Sequence, residues 1–314
     1  MKLSVDPDRC APFNRNAGID PIGSAGHYHS FILVEVALPW PREITLADEL
    51  AGVTDVIDAV EARDGRLVRV LGIVPLGDRG EQQRRIIHYH RAVSEQVTAF
   101  DGHELVIEAG DEVATIEAML DEPDSARLTP VAGPDVLICT HGSRDVCCGG
   151  DGMRLHLAAA DGLQGVRVWR CSHTGGHRFA PTSITFPDGR FWAYLDEEKL
   201  AAIVDRNIDP ASLRHNDRGS SGFGSPFAQI AERELFAVIG WTMNDGSRWV
   251  VHEENDGRRG SAQIVHEAPD GTRTSVEVSS ELAQRYPAMV CGEGADPSGK
   301  TFDEYRVIST KHQP

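Results

Sequence analysis

The chain has 314 residues, of which 40% are hydrophobic and 25% charged, and its formal net charge is −17. This composition is typical of a folded globular protein, and the negative charge disfavours nucleic-acid binding because phosphates would be repelled. The chain has no run of 18 apolar residues, and its first residues lack the apolar core of a signal peptide. We therefore expect no membrane span and a cytoplasmic location.

The first part of the chain predicts an α/β unit at about residues 28–125. Residues 1–29 are rich in proline, asparagine and glycine and are expected to form an irregular lead-in. Runs of β-branched residues predict strands, and apolar residues at helical spacing predict helices. The predicted elements are a strand at 30–38, a helix at 46–63, strands at 67–75, 84–90 and 104–108, and a helix at 112–120.

Two prolines and a glycine at 125–134 suggest a boundary, so the first unit is assigned to residues 1–130. Residues 131–215 then predict a second α/β unit. Its predicted elements are a strand at 135–139, a helix at 153–163, a strand at 166–171, a loop, strands at 183–186 and 190–195, and a helix at 196–205. The order β-α-β-loop-β-β-α matches the core of the thioredoxin fold, with its middle helix replaced by a loop.

Residues 216–314 predict a helix followed by a small β-rich module. The glycine- and serine-rich stretch at 218–224 is expected to be a flexible connection. A helix is predicted at 226–239, and strands are predicted at 248–252, 263–267 and 272–278. The expected fold is therefore α/β, with a thioredoxin-like domain between an α/β unit and this module.

Cysteine and histidine cluster in the second unit. Four of the six cysteines fall within 33 residues, and three histidines lie in or beside that stretch: Cys139, Cys147, Cys148 and Cys171 with His141, His173 and His177. Cysteines grouped in this way in an intracellular protein indicate metal or redox chemistry rather than disulfide bonds. Because the ends of neighbouring parallel strands open onto one edge of a sheet, the two motifs can converge there.

Spacing alone leaves three kinds of site open. Thiolates and imidazoles bind both zinc and iron–sulfur clusters. The C-x8-C spacing is wide for a zinc finger, which favours a cluster over zinc. A dithiol redox site at Cys147 and Cys148 ranks lower, because adjacent cysteines form a strained disulfide ring and the thioredoxin C-x-x-C motif is absent.

The motifs CTHGSRDVCCGG and CSHTGGHRFA resemble those of the sucrase/ferredoxin-like family, a group of thioredoxin-like ferredoxins. Arg9-Cys10, residues 29–40, Cys291-Gly292 and Tyr305-Arg306-Val307 also resemble the corresponding parts of that family. The resemblance implies one [2Fe–2S] cluster. Its implied ligands are Cys139, Cys148, His173 and His177.

Other residues near these motifs have alternative roles. Cys147 and Cys171 are the alternative metal ligands, because each lies within two residues of an implied ligand. Candidates for hydrogen bonds or ion pairs around the cluster are His141, Arg144, Asp145 and Arg178. Cys10 and Cys291 are far from the motifs in sequence and are expected to be isolated thiols.

The predicted function is electron transfer, with a reductase or an acceptor protein as redox partner. Two Fe³⁺ and two S²⁻ carry +2, so two thiolates make the oxidised cluster neutral. Its potential should exceed that of a four-thiolate cluster, and its histidines should couple reduction to protonation. The alternatives are a zinc-stabilised or metal-free binding module and a thiol oxidoreductase. Sucrose hydrolysis is disfavoured, because no carboxylate pair stands in a recognisable motif.

Overall fold

The main feature of the computed structural model is a mixed sheet, and the structure describes residues 9–77, 82–291, 294–295 and 299–313. Within these residues the sheet has ten strands in the order β10-β9-β8-β6-β7-β2-β1-β3-β4-β5. The strands are β1 (Ser30–Glu35), β2 (Val68–Ile73), β3 (Gln83–His90), β4 (Asp101–Glu108), β5 (Thr129–Pro130), β6 (Asp135–Cys139), β7 (Arg167–Cys171), β8 (Ser183–Phe186), β9 (Arg190–Trp192) and β10 (Asp217–Ser220).

The second unit has the predicted β-α-β-loop-β-β-α order. Between β6 and β7 lies α4 (Met153–Gly162), and α5 (Glu197–Val204) follows β9. Strand β6 pairs parallel with β7 and antiparallel with β8, which in turn pairs antiparallel with β9. All five residues of β6 are buried. Strands β7 and β8 cover its edges, and apolar clusters cover its two faces, one with Val136 and Ile138 and one with Leu137 and Cys139. This central strand is therefore a rigid support for the loop that follows it.

The first unit repeats the same topology. Strand β1, helix α2 (Val53–Asp64) and strand β2 form a parallel β-α-β unit, and β3, β4 and helix α3 (Glu112–Asp121) complete it. The predicted helix at 46–63 is in part wrong, because two short 3-10 turns, Ile44–Leu46 and Asp48–Leu50, precede α2. The two units thus share one strand order, although only the second was predicted to be thioredoxin-like.

The units meet where their second strands end. Strands β2 and β7 are antiparallel, and their one residue pair joins Ile73 to Cys171. Additional contacts continue past the strand ends, because Ser172 donates its backbone N–H to the Gly72 carbonyl at 2.7 Å. The ends of β2 and β7 therefore overlap, and the sheet runs without a break from one unit into the other.

The C-terminal part consists of helix α6 (Pro226–Ile239) packed against a separate antiparallel sheet. In the described residues this sheet has four strands in the order β11-β12-β13-β16. Their bounds are β11 (Ser247–Asn255), β12 (Arg259–Glu267), β13 (Arg273–Pro287) and β16 (Thr301–Gln313); a short pair, β14 (Met289–Val290) and β15 (Gly294–Ala295), lies between β13 and β16. The helix bounds agree with the prediction, whereas β16 was not predicted.

Two predictions about irregular segments are wrong. The lead-in contains a helix, α1 (Cys10–Asn16), and residues 1–8 lie outside the described residues. The stretch at 218–224 is not a flexible connection, because Arg218, Ser220 and Ser221 are buried and β10 pairs with β9. The Arg218 guanidinium donates to the carbonyls of Ser24 at 2.8 Å and Gly175 at 3.0 Å. No helix in the described part of the chain is long and apolar enough to cross a membrane.

Candidate metal centre

The chemically active side chains lie in the loops that follow β6 and β7. Cys139 is the last residue of β6 and Cys171 the last of β7, and the two are partners in the parallel register. After Cys139 the chain loops out and returns through a π-helical turn, Cys148–Gly152, which leads into α4. The two cysteine- and histidine-bearing segments therefore meet at one edge of the sheet, as expected for the ends of neighbouring parallel strands.

Three of the four implied cluster ligands form one compact group. The ligand atoms of Cys139, Cys148 and His173 all lie within 4.8 Å of one another, and we call these residues the Cys139 group. The Cys139 thiol sulfur is 3.9 Å from Nδ1 of His173. Both cysteines are buried, whereas His173 is half-buried. A hydrogen bond from Cys148 is the main cause that lowers the pKa of Cys139, and His173 lowers it further.

Glycines allow the loop that follows β6 to fold back and pack closely against the end of β6 and the first residues of the loop. A Cβ on Gly152 would lie 2.0 Å from the Cys139 carbonyl oxygen, and one on Gly149 would lie 2.6 Å from the Cα of Gly142. Both distances are far shorter than ordinary contacts, so only glycine fits without movement. The approach of backbone to backbone is what brings Cys148 next to Cys139.

His141 positions the backbone of His173. The backbone N–H of His173 donates to Nδ1 of His141 at 3.1 Å, so the proton of this neutral ring lies on Nε2. Nε2 in turn contacts the Pro41 carbonyl at 2.8 Å, where it is the donor. Burial lowers the pKa of His141, in agreement with a neutral ring. The hydrogen-bonding role expected for His141 therefore fits its contacts.

His177 lies beside the Cys139 group, but its Nδ1 contacts residues outside that group. Its Nδ1 is 2.9 Å from Oδ2 of Asp145 and 3.3 Å from the Cys10 sulfur. The ring centroids of His173 and His177 are 5.8 Å apart. When Nδ1 carries the proton and donates it to Asp145, Nε2 keeps a free lone pair. Histidines that bind a metal through one ring nitrogen usually donate the other N–H to a carboxylate or a carbonyl in this way.

A second group was not predicted. Cys10, Asp145, Cys147 and Cys291 have their ligand atoms within 4.8 Å of one another, and we call them the Cys10 group. The Cys291 sulfur lies 3.3 Å from those of both Cys10 and Cys147, which are 3.8 Å apart. The expectation that Cys10 and Cys291 are isolated thiols is therefore wrong. No local spacing could indicate this contact, because 281 residues separate these two cysteines.

Hydrogen bonds shift the pKa values of two thiols of the Cys10 group in opposite directions. Donation from Cys10 and then from Cys291 lowers the pKa of Cys147 to about 3, although burial opposes this. The same hydrogen bond to Cys147 raises the pKa of Cys10. Cys147 is therefore more readily ionised than Cys10, and a thiolate is a strong ligand for a soft metal.

The remaining candidates have other partners. Burial raises the pKa of the Cys171 thiol, and this residue belongs to neither group. Arg144 pairs with Glu43 rather than with Asp145. The Arg178 guanidinium lies over the rings of Phe302 at 4.3 Å and Phe179 at 4.6 Å. Arg218, which the sequence did not single out, holds the loop between the two histidines through its bond to Gly175.

The comparisons with known proteins agree with these motifs. A family model described as Sucrase/ferredoxin-like matches residues 21–219, which is more than half of the chain. The chain belongs to the sucrase/ferredoxin-like family. No curated protein and no solved structure matches it at a significant level. The family match contains the four implied cluster ligands, whereas Cys10 and Cys291 lie outside it.

Two other features lie apart from this centre. His90, His103 and Asp124 form another group of possible ligands in the first unit. A cavity of about 600 Å³ is lined by residues such as Tyr89, Phe186 and Trp241, and by no member of the Cys139 or Cys10 groups. The cavity therefore lies apart from the sulfur ligands.

Proposed function

We propose that this sucrase/ferredoxin-like protein transfers electrons through one [2Fe–2S] cluster held by Cys139, Cys148, His173 and His177. The observation that supports the proposal is the Cys139 group, two buried thiols and an imidazole gathered at the end of a rigid central strand. The cluster would supply the capacity to accept and release one electron at a time.

The donor set fits this cofactor. Two thiolates and two imidazoles are ligands that a [2Fe–2S] centre uses, and the mixed set keeps the oxidised centre neutral. The low pKa of Cys139 makes its thiolate available for metal binding. The contact of Asp145 with Nδ1 of His177 selects Nε2 as the donor nitrogen and orients the ring.

The two histidines form the side of the site nearest to solvent. Both are half-buried, whereas the cysteines behind them are fully buried. A redox partner, either a reductase or an acceptor, would reach the site from the histidine side. Protons held at the outer ring nitrogens would respond to the charge of the centre, so we propose that reduction is coupled to protonation.

Iron and acid-labile sulfide analysis with visible absorption of anaerobically purified protein tests the proposal. We expect two irons and two sulfides per chain, with strong depletion in Cys139→Ser and in Cys148→Ser. Cys171→Ala is the matched control, because it removes a buried cysteine outside both groups, and it should keep the iron. Full iron occupancy in Cys139→Ser would refute the ligand assignment.

Voltammetry tests the proton coupling separately. The potential should fall as the pH rises, with a slope approaching about −59 mV per pH unit for one proton per electron. A potential that stays constant from mildly acidic to strongly alkaline pH would contradict histidine ligation with a titrating outer nitrogen. The cluster itself would then still be established by its iron and sulfide content.

A second candidate is a zinc-stabilised module that uses the same group. The favouring observation is its compactness, because donor atoms within 4.8 Å of one another can surround a single ion. A colourless protein whose zinc is lost in Cys139→Ser, with no iron or sulfide, would select this candidate over the cluster.

A further inference from the structure

We propose that Cys10, Cys147, Cys291 and Asp145 form a second metal site, which binds a single soft divalent cation such as Zn²⁺. Three segments that are remote in sequence supply these ligands: the lead-in, the loop after β6 and the segment after β13. Two of the ligands lie outside the residues that match the family. The site does not depend on the proposed cluster, because the Cys139 group supplies none of its donors.

The spacing of the donor atoms fits tetrahedral zinc. With Zn–S bonds of about 2.3 Å and a Zn–O bond of about 2.0 Å, a tetrahedron places its sulfurs about 3.8 Å apart and sulfur about 3.5 Å from oxygen. The observed sulfur separations are 3.3, 3.3 and 3.8 Å. Oδ1 of Asp145 lies 3.5 Å from the Cys291 sulfur and 4.0 Å from that of Cys10.

The surroundings compensate the charge that three thiolates and a carboxylate would bring. With a divalent ion the site carries a net charge of −2, and two arginines adjoin it. Arg9 interacts with Cys147, and Arg178 interacts electrostatically with Cys10. The backbone N–H of Cys10 also donates to the Cys291 sulfur at 3.4 Å, and that of Ala11 donates to Cys147.

Asp145 links the two sites through different oxygens. Oδ1 lies nearest the Cys291 sulfur and accepts the Cys147 backbone N–H at 2.8 Å, whereas Oδ2, 3.9 Å from the Cys10 sulfur, contacts Nδ1 of His177. A cation bound at Oδ1 would therefore fix the carboxylate that orients His177. The same cation would hold the two remote chain segments against the loop that carries Cys148, as structural zinc sites do.

Zinc content of anaerobically purified protein, grown with added Zn²⁺, tests the site. Wild-type protein should contain one zinc per chain more than Cys10→Ser or Cys291→Ser, while both variants still bind iron because the four proposed cluster ligands are unchanged. Cys171→Ala is the control and should keep both metals. We expect competition with a chelator to show about 100-fold or greater loss of zinc affinity in each serine variant.

Cobalt titration of the Cys139→Ser chain tests the site without changing any of its ligands. Its result therefore does not depend on whether Cys10→Ser and Cys291→Ser fold. In this chain Cys148 is the one thiol left in the Cys139 group, so one equivalent of Co²⁺ with a charge-transfer band of three thiolates reports the Cys10 group. Absence of such binding would overturn the proposal. Equal zinc in wild type and both variants, or a disulfide between two of the three cysteines shown by mass, would also overturn it. A protein without iron would refute the cluster and leave this zinc count unchanged.

Discussion

Replacement of Gly152 by alanine tests how closely the metal-binding loop must return to β6. The backbone dihedrals at Gly152, φ −63° and ψ −40°, are helical, so alanine is allowed there and only its Cβ matters. That Cβ would lie 2.0 Å from the Cys139 carbonyl oxygen, whereas ordinary contact begins at 3.4 Å. The loop and β6 must therefore separate by as much as 1.4 Å.

The strand is not free to yield, because Cys139 is held by β7 on one side and its N–H donates to the Thr182 carbonyl on the other. Overpacking of this kind costs about 1–3 kcal/mol. The better helix propensity of alanine returns about 1 kcal/mol, so we expect a net loss of up to about 2 kcal/mol in the free energy of unfolding. We also expect less bound iron, because Cys148 moves away from Cys139.

Gly150→Ala is the matched control in the same turn. Its Cβ would meet a single atom, Nη2 of Arg9, at 3.5 Å, which is an ordinary contact. This variant should be as stable as wild type or up to about 1 kcal/mol more stable. Denaturant unfolding and iron analysis of the two variants decide the question. If Gly152→Ala matches Gly150→Ala in both stability and iron content, the steric argument is refuted.

Two further predictions concern the framework of the fold. Arg190 is fully buried and binds Asp217 at 2.6 Å and Glu232 at 2.5 Å. Arg190→Met leaves these carboxylates without that partner, and we expect about 3–5 kcal/mol of destabilisation in denaturant unfolding; a loss below about 1 kcal/mol would contradict this. Ser225 caps α6 by accepting the backbone N–H of Phe227 at 3.1 Å. Ser225→Ala should cost about 1 kcal/mol, and an unchanged unfolding midpoint would show that the cap contributes nothing.

Local sequence patterns predicted many of the elements. The strands at 135–139 and 183–186 and the helix at 226–239 have the bounds that were expected. Their signals are short-range: an apolar run between turn residues, or apolar spacing behind a serine and a proline. The meeting of Cys139 with His173 was also predictable, because two neighbouring parallel strands end at the same edge of a sheet.

Segments without such a pattern were predicted incorrectly. The glycine and serine of β10 resemble a linker in composition, yet the segment is buried because β10 pairs with β9 and the Arg218 side chain donates to the carbonyls of Ser24 and Gly175. Propensity describes what a short segment prefers in isolation. The edge of an existing sheet and a buried guanidinium override that preference here.

The sequence by itself determined the α/β class, the order of elements in both units and the two cysteine- and histidine-bearing loops after β6 and β7. Only the tertiary structure decided that the two units join through β2 and β7, that His177 turns Nδ1 toward Asp145, and that Cys10 and Cys291 meet Cys147. The physical reason is sequence distance. Spacing rules act within a helical turn or a pair of strands, whereas the packing of the whole chain brings together cysteines that lie 281 residues apart.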